Sequence, residues 1–329
     1  MSELREAPSG ASRRVRVPVV ASPREGWVTT QEDRIRPPAP GLVRLRLVVA
    51  YRGEAFHGIS PQPALTTVGG ALLEALARVL RQPGGVDALA VVVSGRTDAG
   101  VHAWGQVVHV DVTPPAGGLG RAPHDPARLV QGIDCERVER SLNGILAPHV
   151  VIRSVDVAPA EFDARFSASW RRYRYSVLNT SVPDPFLAGL VWHVPDALDL
   201  SVMRLASDAF IGDHDFASFC RAPVGVEGAT TNRIVTDTKW VDTGSGVLQF
   251  EIQALAFCQQ MVRSIVGFLV EVGRGRRSAG SVLETLASRK RHNLLAPSDG
   301  LCLWSVGYPE TLAPPLATHG PGSGWRPLP

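Results

Sequence analysis

The chain has almost no lysine. Of its 34 basic residues only Lys239 and Lys290 are lysine, and the rest are arginine. Its positive charge is therefore carried by planar guanidinium forks suited to bidentate phosphate contacts, although a GC-rich coding sequence produces the same bias. Cysteine is scarce too. Cys135, Cys220, Cys258 and Cys302 are scattered with no CxxC pair, which argues against a zinc ribbon or a disulfide framework and for a reducing cytosol. No apolar run is long enough to span a membrane and no signal-peptide core opens the chain, so a soluble cytoplasmic protein is expected. GxxxxGK[ST] is absent, and GRGRRSAG follows a helical pattern rather than a strand, the wrong context for a dinucleotide fold. A GxSxG nucleophile elbow is missing as well.

What is present is an ordinary globular composition, 44% hydrophobic and 20% charged with a net charge of +3 over 329 residues. That length has room for two domains and a sizeable core. Residues 1–40 mix Pro, Ser, Arg and Glu without periodicity and residues 311–329 are rich in Pro and Gly; both are expected to be disordered tails. VRLRLVVAY (43–51) alternates Val43, Leu45, Leu47 and Val49 with Arg44 and Arg46, the pattern of a half-buried strand. Val68, Leu72, Leu76 and Leu80 recur at four-residue steps behind Thr66 and Thr67, predicting a capped amphipathic helix. ALAVVV, QVVHVDV, VVIRSVDVAP and RRYRYSVLN read as further strands, and RVERSLNGIL as a helix.

A proline pair in PDPF (183–186) breaks the chain before a second set: helical SVMRLASDAFIG, strands RIVTDTKWVD and VLQFEIQALAF around TGSG, helical QQMVRSIVGFLVEVG and AGSVLETLASRKR, and the strand LCLWSVGYP. Two α+β sandwiches are expected, residues 41–182 and 183–310, with mostly antiparallel sheets covered by helices.

SGRTDAGVHA (94–103) places Arg96, Asp98 and His102 in a glycine-punctuated loop between two apolar runs. Charge in such a place is costly unless it is paired or used. Asp98, His102, His109 and Asp111 supply metal-ligand atoms, but the i,i+4 spacing of Asp98 and His102 serves a metal only on a helix, and Gly100 argues for a loop. Two readings of Asp98 stay open on pattern alone: a structural ion pair with Arg96 that braces the loop, or a cofactor-free nucleophile or base held ionised by a nearby guanidinium.

GRTDAGVHAWGQVVHVD closely resembles the signature loop of the TruA family of tRNA pseudouridine synthases. Three other blocks resemble the family in order and spacing: FDARFSASWRRYRYSVLN, GDHDFASFC and FCQQMVRSIVGFLVEVG, the last followed by APSDGLCLWSVGYP. The resemblance covers about residues 43–309. It implies the pseudouridine synthase fold, with the active site in a cleft between the two halves, and isomerisation of uridine on the 3′ side of the tRNA anticodon stem-loop, positions 38–40 of the tRNA. It implies no metal, nucleotide or other cofactor, a homodimer, and tRNA as partner.

Asp98 stands at the family's catalytic aspartate, and Arg263 at the arginine that pairs with it. Tyr173 matches the tyrosine that stacks on the flipped base and handles its proton, Arg96 the arginine where the nucleotide leaves the stack, and Leu301 the apolar wall. Arg165 is expected to bind substrate. Arg171, Arg172 and Arg174, like Arg274, Arg276 and Arg277, are candidate phosphate contacts, with a solvated face as the alternative. The chain departs from the family pattern in YRGEAFHGISPQP, which lacks the usual Asp, Trp and first Gln, and at Asp163, Gln260 and Cys302. An RNA-binding or RNA-folding module without catalysis, or a synthase for another RNA, are the competing expectations.

Overall fold

The computed structural model describes residues 35–115, 129–221 and 230–312. Their strands are β1 (Val43–Tyr51), β2 (Val91–Val93), β3 (His102–Val112), β4 (Leu129–Val130), β5 (Ile133–Asp134), β6 (Val150–Val157), β7 (Trp170–Leu178), β8 (Trp192–His193), β9 (Gly212–Asp215), β10 (Asn232–Asp242), β11 (Val247–Ala254) and β12 (Leu301–Gly307). The helices are α1 (Val68–Val79), α2 (Cys135–Leu146), α3 (Leu200–Asp208), α4 (Met261–Gly273) and α5 (Ser281–Ser288). Among the described residues no helix is long and apolar enough to cross a membrane.

Local chemistry explains the helix starts. Thr67 is the N-cap of α1, its side chain accepting the Gly70 N–H, and Val68, Leu72, Leu76 and Leu80 are all buried as the spacing predicts. Asp134 and Asp199 cap α2 and α3 in the same way. Helix α4 starts differently, behind Gln260 in a left-handed conformation (φ 65°). That sharp entry follows the 255–260 segment and turns the chain into an almost wholly buried helix.

The strands form one ten-stranded sheet in the order β6-β1-β3-β12-β7-β11-β10-β9, with β2 beside β3 and β8 beside β7. Strand β12, from the far end of the fold, is the joint. It lies parallel to β3 through Cys302–His102 and Leu303–Ala103, and antiparallel to β7. Its close approach needs Gly105, where an added Cβ would stand 2.6 Å from the Trp304 carbonyl oxygen. The sheet thus runs without a gap through the two expected halves. Strand β7 precedes the proline break at 183 yet lies among second-half strands, because eight of its residues pair with β11. Helix α2 packs on β6 and α1, and α3 on α4 and β10.

The alternation in β1 does not mark a half-exposed strand. Arg44 and Arg46 are 4% and 2% exposed. Arg44 grips both carboxylate oxygens of Asp111 (2.7 and 2.8 Å) and donates to the carbonyls of Arg36, Ala160 and Phe162. Residues 35–40, expected in the disordered tail, are therefore partly tied down, and residues 1–34 and 313–329 of the two expected tails lie outside the described residues. The buried charge of Arg44 is tolerated because each of its donors finds a partner, whereas Arg46 pairs with Asp156 at 3.2 Å and leaves its Nε without one.

His109, on the same strand face as Asp111, is also buried, and its Nδ1 accepts the Ala164 N–H at 2.9 Å. Burial, helped by Arg44, pushes its pKa down to about 4. The unfolded imidazole takes a proton first, so this stabilisation is complete above about pH 6.5 and is lost as pH falls towards 4. Urea midpoints should drop across that window, and His109→Asn, which keeps an acceptor near Nδ1, should flatten the drop. An unchanged slope would rule out His109 as its source.

Candidate active site

The strand β2 delivers the chain into the loop Ser94–Gly100, and the neighbouring structure holds that loop residue by residue. Ser94 N–H donates to the Val107 carbonyl. The fully buried Gln106 accepts from Ser94 Oγ (2.7 Å) and donates to the Gly95 carbonyl (2.8 Å). The hydroxyls of Tyr51 and Thr97 bond at 2.6 Å, and Ile59 N–H donates to the Thr97 carbonyl. Gly58 (φ 91°) lies so near that an added Cβ would be 2.8 Å from the Thr97 carbonyl oxygen. The YRGEAFHGIS segment, where the chain departs from the family pattern, is thus the loop's outer support. Arg96 is left exposed and Asp98 half-buried at the floor of the opening.

That opening is a cleft of about 870 Å³, a size that accommodates a nucleoside. It gathers Arg96, Asp98, Arg165, Arg171, Tyr173, Arg263 and Leu301 from five separate stretches of chain. Asp98 is the sole carboxylate among the lining residues, against five arginines once Arg233 is included. Tyr173 is buried and packs edge-on against Phe257, ring centroids 5.0 Å apart. Burial pushes its phenol up to about 12, with Arg171 opposing and Asp98 adding to the shift, so Tyr173 is a neutral hydroxyl at physiological pH. Leu301 begins β12 and is buried at the wall.

Arg263 is the third residue of α4. The expected ion pair with Asp98 is not formed; the Nε of Arg263 donates to the Ala296 carbonyl at 2.7 Å. Arg165 is exposed on a turn held by Asp163, whose Oδ1 accepts the N–H groups of Arg165 and Phe166 (2.7 and 2.8 Å). Asp163 is therefore a turn cap, a job its short carboxylate does well.

Arg172 is not brought to the cleft. Strand alternation sends it to the face opposite Tyr173, where it bonds Gln253 at 2.8 Å. Arg174 goes the same way, onto Glu251 (2.6 Å) and the Trp304 ring (3.6 Å). Arg274 and Arg276 pair with Glu271, and Arg274 lies about 16 Å along the helix from Arg263 at 1.5 Å per residue. Cleft residues that the sequence reading missed include Arg233, Phe257 and Gln260. Phe257 and Gln260 belong to the FCQQMVR block and were within reach. Arg233 carried no local signal.

Three of the four trial metal ligands, His102, His109 and Asp111, are engaged elsewhere. His102 Nδ1 accepts from Gly53 N–H (3.0 Å), which leaves Nε2–H to donate to the Asp299 carbonyl (2.9 Å). Among the described residues no three His, Cys, Asp or Glu side chains converge as a metal site. The cysteines depart from expectation: Cys220 and Cys258 form a disulfide with Cα atoms 5.8 Å apart, beside the cleft, while Cys135 and Cys302 are free. They are distant in sequence, and the fold brings the GDHDFASFC and FCQQMVR blocks together.

A family model described as tRNA pseudouridine synthase matches residues 206–309, the stretch that carries α4, Arg263 and Leu301. The fold is that of the pseudouridine synthase class. A protein of Leifsonia xyli is 43% identical over 271 residues, covering 81% of this chain and 92% of its own length. Proteins of Cutibacterium acnes (41% identical, 82% and 90% covered) and Synechococcus (36%, 84% and 86%) are similar too. All three are named tRNA pseudouridine synthase A. The chain belongs to the tRNA pseudouridine synthase A family.

Proposed function

We propose that this chain converts uridine to pseudouridine in the anticodon stem-loop of tRNA, with Asp98 as the group that attacks or deprotonates. The carrying observation is the cleft itself: one carboxylate, Asp98, on a rigid loop, ringed by Arg96, Arg165, Arg171, Arg233 and Arg263 with the neutral Tyr173 above. The exposed guanidiniums suit a phosphate backbone, and a base must leave its stack to reach a carboxylate at a cleft floor.

The reaction breaks the N1–C1′ bond, rotates the uracil and joins C5 to C1′. N1 gains a proton and C5 loses one, so no electrons are exchanged. The ring of Tyr173, which lines the cleft, is the surface on which a flipped base would rest, and its un-ionised hydroxyl would hold or pass the C5 proton. Arg263 steadies the negative charge around Asp98 once the nucleotide displaces it from Ala296. Leu301 and Phe257 exclude water. The enzyme is proposed to work in the cytoplasm as a homodimer, like its relatives as the sequence resemblance implies them to be.

Transcripts of tRNA carrying tritium at uridine C5 provide the test. The protein should release tritium to water in proportion to pseudouridine formed. Binding without release would favour an RNA-folding module, and release only from another RNA would move the substrate.

A further inference from the structure

Arg171 is the second residue of β7, lines the cleft and is buried. A guanidinium has five N–H donors, and here all five are spent inside the protein. Nε and one terminal nitrogen donate to the Ser94 carbonyl (3.2 and 3.0 Å). The other terminal nitrogen donates to the Ala168 and Leu255 carbonyls (3.2 and 2.7 Å). The fifth bond goes to the Arg165 carbonyl. Nothing is left over for a phosphate, which removes Arg171 from the expected substrate contacts.

The four carbonyls share a property. Each belongs to a segment that supports a different part of the cleft. Ser94 opens the loop of Arg96 and Asp98, and Arg165 is itself a cleft arginine. Ala168 closes the turn behind it, and Leu255 begins the segment that carries Phe257 into α4. Arg171 also stands two residues from Tyr173 on the same face of β7. Among the described residues no carboxylate lies within ion-pair distance of Arg171. Its charge is balanced by carbonyl dipoles alone, an arrangement a low-dielectric site strengthens and one that costs several bonds if undone.

We infer that Arg171 is a positioning residue for the isomerisation, the hub that holds the Asp98 loop, the Arg165 turn and the Phe257 segment in register around Tyr173. Lysine has only three donors, so it cannot hold all four carbonyls. Neither Gln106 nor Tyr51 reaches the Arg165 or Leu255 segments, so their bonds do not substitute for it.

The inference rests on the reading of Asp98 given above, and its test separates the two. Arg171→Lys and Arg171→Ala are made in the full chain, and tritium release, tRNA affinity across salt concentrations and amide exchange at Gly95–Asp98 are measured. Displacing a reacting group by about 1 Å costs on the order of 10²-fold. The alanine variant should therefore lose about 10²-fold in kcat, with the lysine variant falling between it and the parent. KM for tRNA and the slope of log Kd against log salt should stay at parental values, and exchange at Gly95–Asp98 should quicken.

If instead kcat holds while the salt slope becomes shallower by about 0.7–0.9, Arg171 is a phosphate contact and the inference fails. Full activity in the lysine variant also overturns it. Should the alanine variant not fold, the lysine variant decides. Should the parent release no tritium, the functional reading fails, and unchanged exchange at Gly95–Asp98 would still refute the hub.

Discussion

Asp98→Asn is expected to abolish tritium release, by about 10³-fold or more, the scale on which loss of a central catalytic group is felt. Asparagine keeps the shape of the side chain and loses its charge and basicity. The loop does not depend on that charge: its fixed points are Ser94, Gly95 and Thr97, bonded to Arg171, Gln106 and Tyr51, and Asp98 itself contributes a backbone carbonyl to Val101 N–H. Folding should therefore change by no more than about 0.5 kcal/mol, as for other substitutions that break no buried partner. Affinity for tRNA should hold or rise, since the variant removes the one negative group among the cleft arginines. Activity at even a tenth of the parental rate would remove Asp98 from the chemistry. A collapse of both binding and stability would make it structural.

Tyr173→Phe is expected to lower kcat by about 10²–10³-fold, within the range of general acid–base contributions, while tRNA affinity stays within about twofold. The substitution keeps the ring, its edge contact with Phe257 and hence stacking on a base. It removes only the hydroxyl. Because burial holds that hydroxyl's pKa near 12, the parent should show no loss of rate on the alkaline side attributable to Tyr173 below about pH 11, where the group is still protonated. A phenylalanine variant with parental kcat would confine Tyr173 to stacking, and Tyr173→Leu would then lose affinity instead.

The sequence made some of this legible. The four-residue steps of Val68, Leu72, Leu76 and Leu80 located α1 and its buried face because helix periodicity is local. Strand alternation located β1 and β7 for the same reason, and it held the information that Arg172 and Tyr173 point opposite ways. It could not say that both faces of β1 are covered, since Arg44 meets Asp111 and Phe162 from more than sixty residues away. The sheet's continuity was equally hidden: the partners of β7 and β12 are chosen by tertiary packing, whereas the proline break at 183 is a local signal. The Cys220–Cys258 pair and the five bonds of Arg171 are likewise products of distant segments meeting. The loop pattern singles out Asp98 but leaves bracing and catalysis both open, because a lone carboxylate in a loop has no local pattern that separates them; the roles expected of Asp98 and Arg263 come from the resemblance.

The position of β12 sets a timetable for the molecule. Its partner residues on β3, His102 and Ala103, pair with Cys302 and Leu303, about 200 residues later in the chain. At a ribosomal pace of roughly 5–20 residues per second, that stretch of β3 waits on the order of 10–40 s for its neighbour. Leu301, which walls the cleft, arrives in the same last strand. A nascent chain therefore carries Asp98 and Tyr173 long before the cleft around them is complete, and the cleft's last wall is laid down only with β12.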